Sequence, residues 1–376
     1  MEATEFRFGT FRTKRPEETW CAIVPLLPRF GVTRVADITK LDVLDVPVAV
    51  AVRPLAATLS VSQGKGYSIE QAFVSAAMEA VELWHAENQP VPIPWRATPP
   101  CDLDLSYEIG DLDQQPGSLL TPFTKLDWTV AVGVVSGERV PLPVDSVCLL
   151  QETRWRLLAM RSSSNGLASG NCWTEAALHG LYELIERDAI ERAEHAGTTR
   201  IDPASVSHPL CAELIGRIRN AGASVGLARV HSRFGVPVFT AQLWSPDFPV
   251  VATGSGAHAE PGIAALRSLT EAAQSRLTGI SGSRDDIPDI YGDVRFGRQD
   301  DPLHNVETVP WTESAGIDPA AGIEELLAQT ARIVRAVTGA DPLTVDLSST
   351  GEFAVVRVVA PGLGFTGRRS ETCHVK

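Results

Sequence analysis

Three stretches of this chain have helical length and periodicity, are apolar or small over most of their surface, and gather their carboxylates on one face. In the first, from about Ser68 to Asn88, the polar exceptions within Ala72–Trp84 are Ser75, Glu79 and Glu82. Their i, i+4, i+7 spacing makes one stripe on a helix that is otherwise built for burial. In the second, from about Thr174 to Ala196, Glu175, Glu183 and Glu186 share a face opposite Leu178, Leu181, Leu184 and Ile185, and Arg187 and Asp188 follow directly. The third, from about Gly262 to Leu277, repeats the spacing with Arg267, Glu271 and Gln274.

Three ordinary amphipathic helices with their acidic sides in water would be the plainest explanation. Solvated faces, however, mix Glu with Lys one turn away, and no lysine occurs on any of the three. A buried carboxylate without a partner costs several kcal/mol, so these stripes must meet cations or protons. Stripes converging on one cavity require a polyanion bridged by divalent cations, or the cations themselves. Mg²⁺ suits the all-oxygen donor set, because it commonly bridges carboxylates to nucleotide phosphates. The Gly-flanked Lys65, in the expected turn Ser62–Tyr67, and the polar turn Ser162–Gly166 fit such a site. Gly64 and Gly66 allow close backbone approach, and Lys65 can meet a phosphate. The Walker A spacing is absent, as are the protein-kinase loops, H-E-x-x-H and G-x-S-x-G, so the nucleotide site is of another kind.

The rest of the composition removes other classes. The formal charge is 33 − 46 = −13 with basic residues scattered, which argues against a nucleic-acid or membrane-surface partner. The acidic start, Met1–Glu5, is no signal peptide, and no apolar run approaches the ~20 residues of a membrane span. Six widely spaced cysteines form no C-x-x-C, so the expectation is idle thiols in a cytoplasmic protein. Strand-like runs (Val46–Val52, a hairpin of Trp128–Val135 and Arg139–Val147, Val225–Val230, Val236–Trp244, Phe353–Val359) alternate with the helices and with a fourth amphipathic pattern at Gly322–Val337. They do so without a regular βαβ beat, and the expected class is α+β.

At this level of detail the chain resembles the YcaO family. The matching segments are Ser62–Gly66, Ser75–Glu82, Ser164–Asn171, Glu175, Tyr182–Ala189, Glu271–Arg276 and Ser283–Asp286, in family order over roughly residues 58–290. The resemblance implies an ATP-binding fold of mixed sheets, with long helices carrying the nucleotide site. It divides the chain into an N-terminal extension, 1–57, and a catalytic domain, 58–376. It implies Mg²⁺ at Glu79, Glu82, Glu175, Glu183 and Glu186. Nucleotide contacts would come from Lys65, Ser75, Ser162, Asn165, Arg187, Arg267, Glu271 and Gln274, with Glu79, Glu186 and Arg187 catalytic. Many members have Glu-Arg where this chain has Glu82-Leu83.

Family chemistry adds a nucleophile to a peptide carbonyl and uses ATP to phosphorylate the resulting oxygen, which then leaves as phosphate. Azoline-forming members commonly end in a proline-rich tail. This chain ends Arg368–Lys376 without one, and Trp84-His85-Ala86-Glu87 looks like members encoded beside a TfuA-like partner. The expectation is therefore thioamide formation on a ribosomally made peptide or protein. A TfuA-like or leader-binding protein would assist, and the resemblance also allows a homodimer. Azoline or amidine formation is the enzymatic alternative, and a nucleotide-binding scaffold without catalysis is the alternative of another class. His85, His179 and His258 read as structural histidines, His179 pairing with a nearby Glu, and Cys373-His374 reads as a frayed tail.

Overall fold

Glycine decides how the elements of this chain come together. The computed structural model describes residues 8–149, 159–283, 301–304, 306–312, 317 and 322–363. Three sheets form, and every pair of named strands runs antiparallel. The first sheet is β1 (Arg34–Asp37), β2 (Val48–Val52) and β3 (Val61–Lys65), in that order. The second is the meander β8 (Thr198–Ile201), β9 (Ser224–Val230), β10 (Val238–Ser245) and β11 (Phe248–Ala257). The third joins distant segments in the order β4 (Trp95–Thr98), β5 (Leu126–Gly133), β12 (Leu343–Asp346), β13 (Ala354–Val359) and β7 (Leu167–Gly170), with β6 (Arg139–Pro143) also on β5. The helices are α1 (Pro16–Ile23), α2 (Ile69–Asn88), α3 (Trp173–Ala196), α4 (Pro209–Asn220), α5 (Pro261–Ser281) and α6 (Ile323–Thr338).

The edge strands β3, β7 and β11 each end just before one of the three carboxylate-bearing helices, α2, α3 and α5, and each carries glycine where its helix lies on it. A Cβ on Gly64 would fall on the backbone of Ala72 and Ala76. One on Gly170 would stand 2.5 Å from the Ala176 nitrogen, and one on Gly254 would strike the backbone of Ser268 and Ala272. Small helix residues meet glycine, so helix and strand backbones approach more closely than ordinary side chains permit. This corrects one sequence expectation, since Ser62–Tyr67 is mostly strand β3 rather than a turn. Gly254-Ser255-Gly256 lies likewise inside β11. In both places glycine serves helix packing rather than chain reversal.

Three apolar clusters result. One lies under α2 and reaches β5 and β12, a second lies between α3, α6 and β13, and a third lies between α4, α5 and β9–β11. Residues before 58 contribute directly, since β2 pairs with β3 in the register Val48↔Lys65. α2 begins at an N-cap, Ser68, whose side chain accepts from the Gln71 amide at 3.3 Å. Among the described residues, no helix is long and apolar enough to cross a membrane. The Arg284–Asp286 part of the family match, the Arg368–Lys376 tail and Cys373-His374 lie outside the described residues.

These contacts predict opposite outcomes for two alanine substitutions. Gly254→Ala forces helix and strand apart and should destabilise by about 1–3 kcal/mol or more. Gly216→Ala, on α4 with nothing within 4 Å of an added Cβ, should be neutral or stabilise by up to ~1 kcal/mol. Denaturant melts of the two variants check both.

Candidate active site

A cavity of about 580 Å³ opens where α2, α3, α5 and the end of β3 meet. α2 supplies Ser75, Glu79 and Glu82, and α3 supplies Glu175, His179, Glu183, Glu186 and Arg187. α5 supplies Arg267, Glu271 and Gln274, and β3 supplies Lys65. The segment before α1 forms a further wall with Gly9, Thr10, Arg12 and Lys14. The lining holds six glutamates against five arginines and lysines, so it is a surface of both signs.

The two signs are partly paired. Lys65 Nζ meets Glu271 Oε2 at 2.6 Å. Arg12 Nη1 donates to Glu175 Oε1 at 2.9 Å, and Thr13 donates to Glu175 Oε2 through both its amide and its hydroxyl, each at 2.9 Å. Asn171 adds its amide and side-chain N–H groups, so both oxygens of Glu175 are fully engaged by protein donors. Despite burial, Arg12 and these hydrogen bonds hold its carboxyl below the usual range.

His179 lies between two guanidiniums, with Arg12 Nη2 3.3 Å from Nδ1 and Arg267 Nη2 3.0 Å from Nε2. Burial, with Arg12, Arg267 and Lys65 nearby, holds its pKa well below 6.5, so the ring is neutral. A neutral imidazole offers one acceptor nitrogen, so only one of the two arginines can hydrogen-bond to it. Among the described residues, the buried Nε of Arg267 also has no hydrogen-bond partner. Guanidinium donors are therefore left over around His179. The expected pairing of His179 with a glutamate is replaced by this contact with arginines.

The other carboxylates are crowded. Glu82 accepts from Ser169 Oγ at 2.5 Å. Burial pushes it up to about 8; the Ser169 hydrogen bond opposes the shift, and the Glu79 and Glu183 carboxylates add to it. Glu186 accepts from Ser255 Oγ at 2.6 Å and is raised by burial and by Glu271. Glu183 accepts from the Gly166 amide at 3.3 Å and faces Arg187 Nη2 at 3.5 Å.

Of the expected metal, nucleotide and catalytic residues, all line the cavity except Ser162 and Asn165, and Ser164 and Asn171 stand in the wall instead. Sequence reasoning missed Arg12, Thr13, Ser169 and Ser255. The serines had a signal, since each sits beside a glycine in a helix-contacting strand. Arg12 had none, because its partner Glu175 is 163 residues away. Trp84–Glu87 is internal structure: His85 is hydrogen-bonded to Val81 O and Ser349 Oγ, and Glu87 is clasped by Arg53 through two 2.7 Å contacts.

A family model described as YcaO cyclodehydratase, ATP- and Mg²⁺-binding, matches residues 63–364. The chain belongs to the YcaO family. An uncharacterized protein of Mycobacterium tuberculosis is 41% identical over 373 residues, covering 95% of this chain and 83% of that protein. An uncharacterized protein in the tfuA 3′ region of Rhizobium leguminosarum biovar trifolii is 41% identical over 300 residues, covering 74% of this chain and 70% of that protein. The structure of YcaO from Methanopyrus kandleri bound with AMPPCP and Mg²⁺ superposes with a TM-score of 0.71 at 23% identity, covering 96% of this chain and 95% of that one. That likeness establishes the α+β YcaO fold expected from sequence.

The family description carries ATP and Mg²⁺ as the ligands, and this YcaO cavity fits them in its donor chemistry. Among the described residues, no three His, Cys, Asp or Glu side chains gather closely enough to hold a metal unaided. Mg²⁺ does not need such a cage, because it takes one or two carboxylates and completes its shell with water and phosphate oxygens. The raised Glu82 and Glu186 carboxyls mark where positive charge is wanted.

Glu82 yields a pH prediction. Its carboxyl binds a proton more tightly folded than unfolded, so the metal-free fold loses stability as pH rises from 4.5 toward about 8. Glu82→Gln should therefore raise apo stability by on the order of 2 kcal/mol near pH 8 and by little near pH 4.5. Thermal melts in EDTA across that range measure the difference.

Proposed function

We propose that this cavity binds Mg²⁺-ATP and uses it to phosphorylate a peptide-bond oxygen during modification of a ribosomally made peptide or protein. The supporting observation is that one enclosed space holds both leftover guanidinium donors and carboxylates raised by burial. Arg12 and Arg267 share the single acceptor nitrogen of His179, while Glu82 and Glu186 are raised by burial and by neighbouring carboxylates. A metal-bound triphosphate would satisfy both sets. In this reading Arg12, Lys65, Arg267 and Arg187 hold phosphate oxygens, and Ser75 and Gln274 contact the nucleotide. Glu79, Glu82, Glu183 and Glu186 hold Mg²⁺, while Glu175 fastens the Arg12–Thr13 segment to α3.

The chemistry follows from the leaving group. Amide oxygen departs poorly and phosphate departs readily. A nucleophile adds to the carbonyl carbon, and the oxygen so formed attacks the γ-phosphorus and releases ADP. Collapse then expels phosphate. When the nucleophile is sulfide, the sum is amide plus hydrosulfide plus ATP giving thioamide, ADP and phosphate. When bound, Mg²⁺ neutralises charge developing on the transferred phosphoryl group. The arginines orient that group, and the buried walls exclude water that would otherwise hydrolyse ATP.

Thioamidation with a TfuA-like partner is the preferred outcome, supported by the relative from the tfuA 3′ region. Azoline formation is the second reading, favoured by the cyclodehydratase description of the family. The test is co-expression with any precursor-peptide and TfuA-like genes that flank the coding sequence, followed by mass spectrometry of the peptide. Replacement of one oxygen by sulfur is the expected result, and loss of one water would select the azoline reading. Glu186→Gln should reduce modification by about 100-fold or more with the fold retained. An unmodified peptide in a complex that still binds ATP would favour the scaffold alternative.

A further inference from the structure

Arg357, on β13, is 2% exposed, and among the described residues it has no hydrogen-bonded carboxylate. Its guanidinium donates to main-chain carbonyls instead: Nε to Val147 O at 3.1 Å, and Nη1 to Ser163 O at 2.9 Å and Asn165 O at 2.8 Å. Removing a charge from water for the sake of three carbonyls is expensive unless opposite charge stands close by. The nearby charges that favour its cationic form include the cavity carboxylates Glu183 and Glu82.

The connection runs through a single peptide unit. The Asn165 carbonyl accepts from Arg357, and the amide on the other side of the same unit, Gly166 N–H, donates to Glu183 Oε2 at 3.3 Å. In a trans peptide the C=O and N–H point in opposite directions, so fixing one fixes the other. Gly166 is held further on by its own carbonyl, which accepts from the Val358 amide at 2.7 Å. Its φ of +74° and the nearness of the Val358 carbonyl oxygen leave no room for a side chain. Neighbouring strand residues Arg357 and Val358 thus clamp the Ser163–Gly166 turn, and the turn presents one N–H to one carboxylate. The same clamp sets Ser164 in the cavity wall.

We propose that Arg357 is a positioning residue for the cation site: through the Asn165–Gly166 peptide it holds Glu183 in its cavity-facing position, and from the far side of that peptide it offsets the charge of Glu183 and Glu82. It touches neither nucleotide nor metal. The inference rests on the reading of Glu183 as a Mg²⁺ ligand. Ser162–Gly166, marked from sequence for side chains that would meet a nucleotide, works here mainly through its main chain.

The test is calorimetric ATP binding by the full chain at a series of free Mg²⁺ concentrations, for the wild type, Arg357→Met and Arg357→Lys. The Mg²⁺ midpoint should rise about tenfold or more in Arg357→Met and by less in Arg357→Lys. ATP affinity at saturating Mg²⁺ should stay within about twofold. Glu183→Gln should shift the midpoint alone, and adding Arg357→Met to it should shift the midpoint little further, because the two act in series. An unchanged midpoint in a folded Arg357→Met, even with a lowered melting temperature, would reduce Arg357 to a packing residue and overturn the proposal. Should that variant fail to fold, Arg357→Lys decides on the same criterion. Wild-type binding indifferent to Mg²⁺ would instead overturn the reading of the site on which the inference rests.

Discussion

The structure turns on carboxylates that the fold buries faster than it pairs. Glu82 and Glu186 each receive one serine hydroxyl, and each stands near other carboxylates. Burial pushes both carboxyls up, Glu82 to about 8. A sequence free to minimise that strain would replace them with apolar residues of similar size. Retaining them on helices packed as tightly as α2, α3 and α5 makes sense when a cation and a polyanion complete the site. The glycine contacts serve this arrangement. By letting helix backbones lie directly on β3, β7 and β11, they bring three acidic faces to one cavity from three separate sheets.

Much of this was legible in the residues. The i, i+4, i+7 stripes and the missing lysines gave the three helices to within a few residues and told which face mattered, because helical periodicity is a local property. What was not legible depends on distance along the chain. Arg12 and Thr13 reach Glu175 across more than 160 residues, and nothing in Phe11-Arg12-Thr13 announces a carboxylate partner. Ser62–Tyr67 reads as a turn in the sequence although it is mostly strand, since glycine marks turns and close approaches equally and only the packing separates the two. Asn165 was chosen for its side chain, yet its carbonyl makes the contact with Arg357.

Arg12, Glu175, His179 and Arg267 give the site a property that no single helix has. Glu175 is saturated by donors from the segment before α1 and from Asn171, so it joins that segment to α3 at the edge of the cavity. The neutral ring of His179 holds two guanidiniums close together without neutralising either. The result is a cavity that holds arginine donors from the segment before α1 and from α5 together with crowded carboxylates from α2 and α3, groups that a metal-bound triphosphate would satisfy.

The central claim is that a divalent cation joins those carboxylates to the nucleotide. Calorimetric titration of ATP into the wild-type chain, once with Mg²⁺ and once in EDTA, tests it most directly. The account predicts binding at least about 100-fold weaker in EDTA, a difference of ~2.7 kcal/mol. Equal affinity in the two buffers would contradict it.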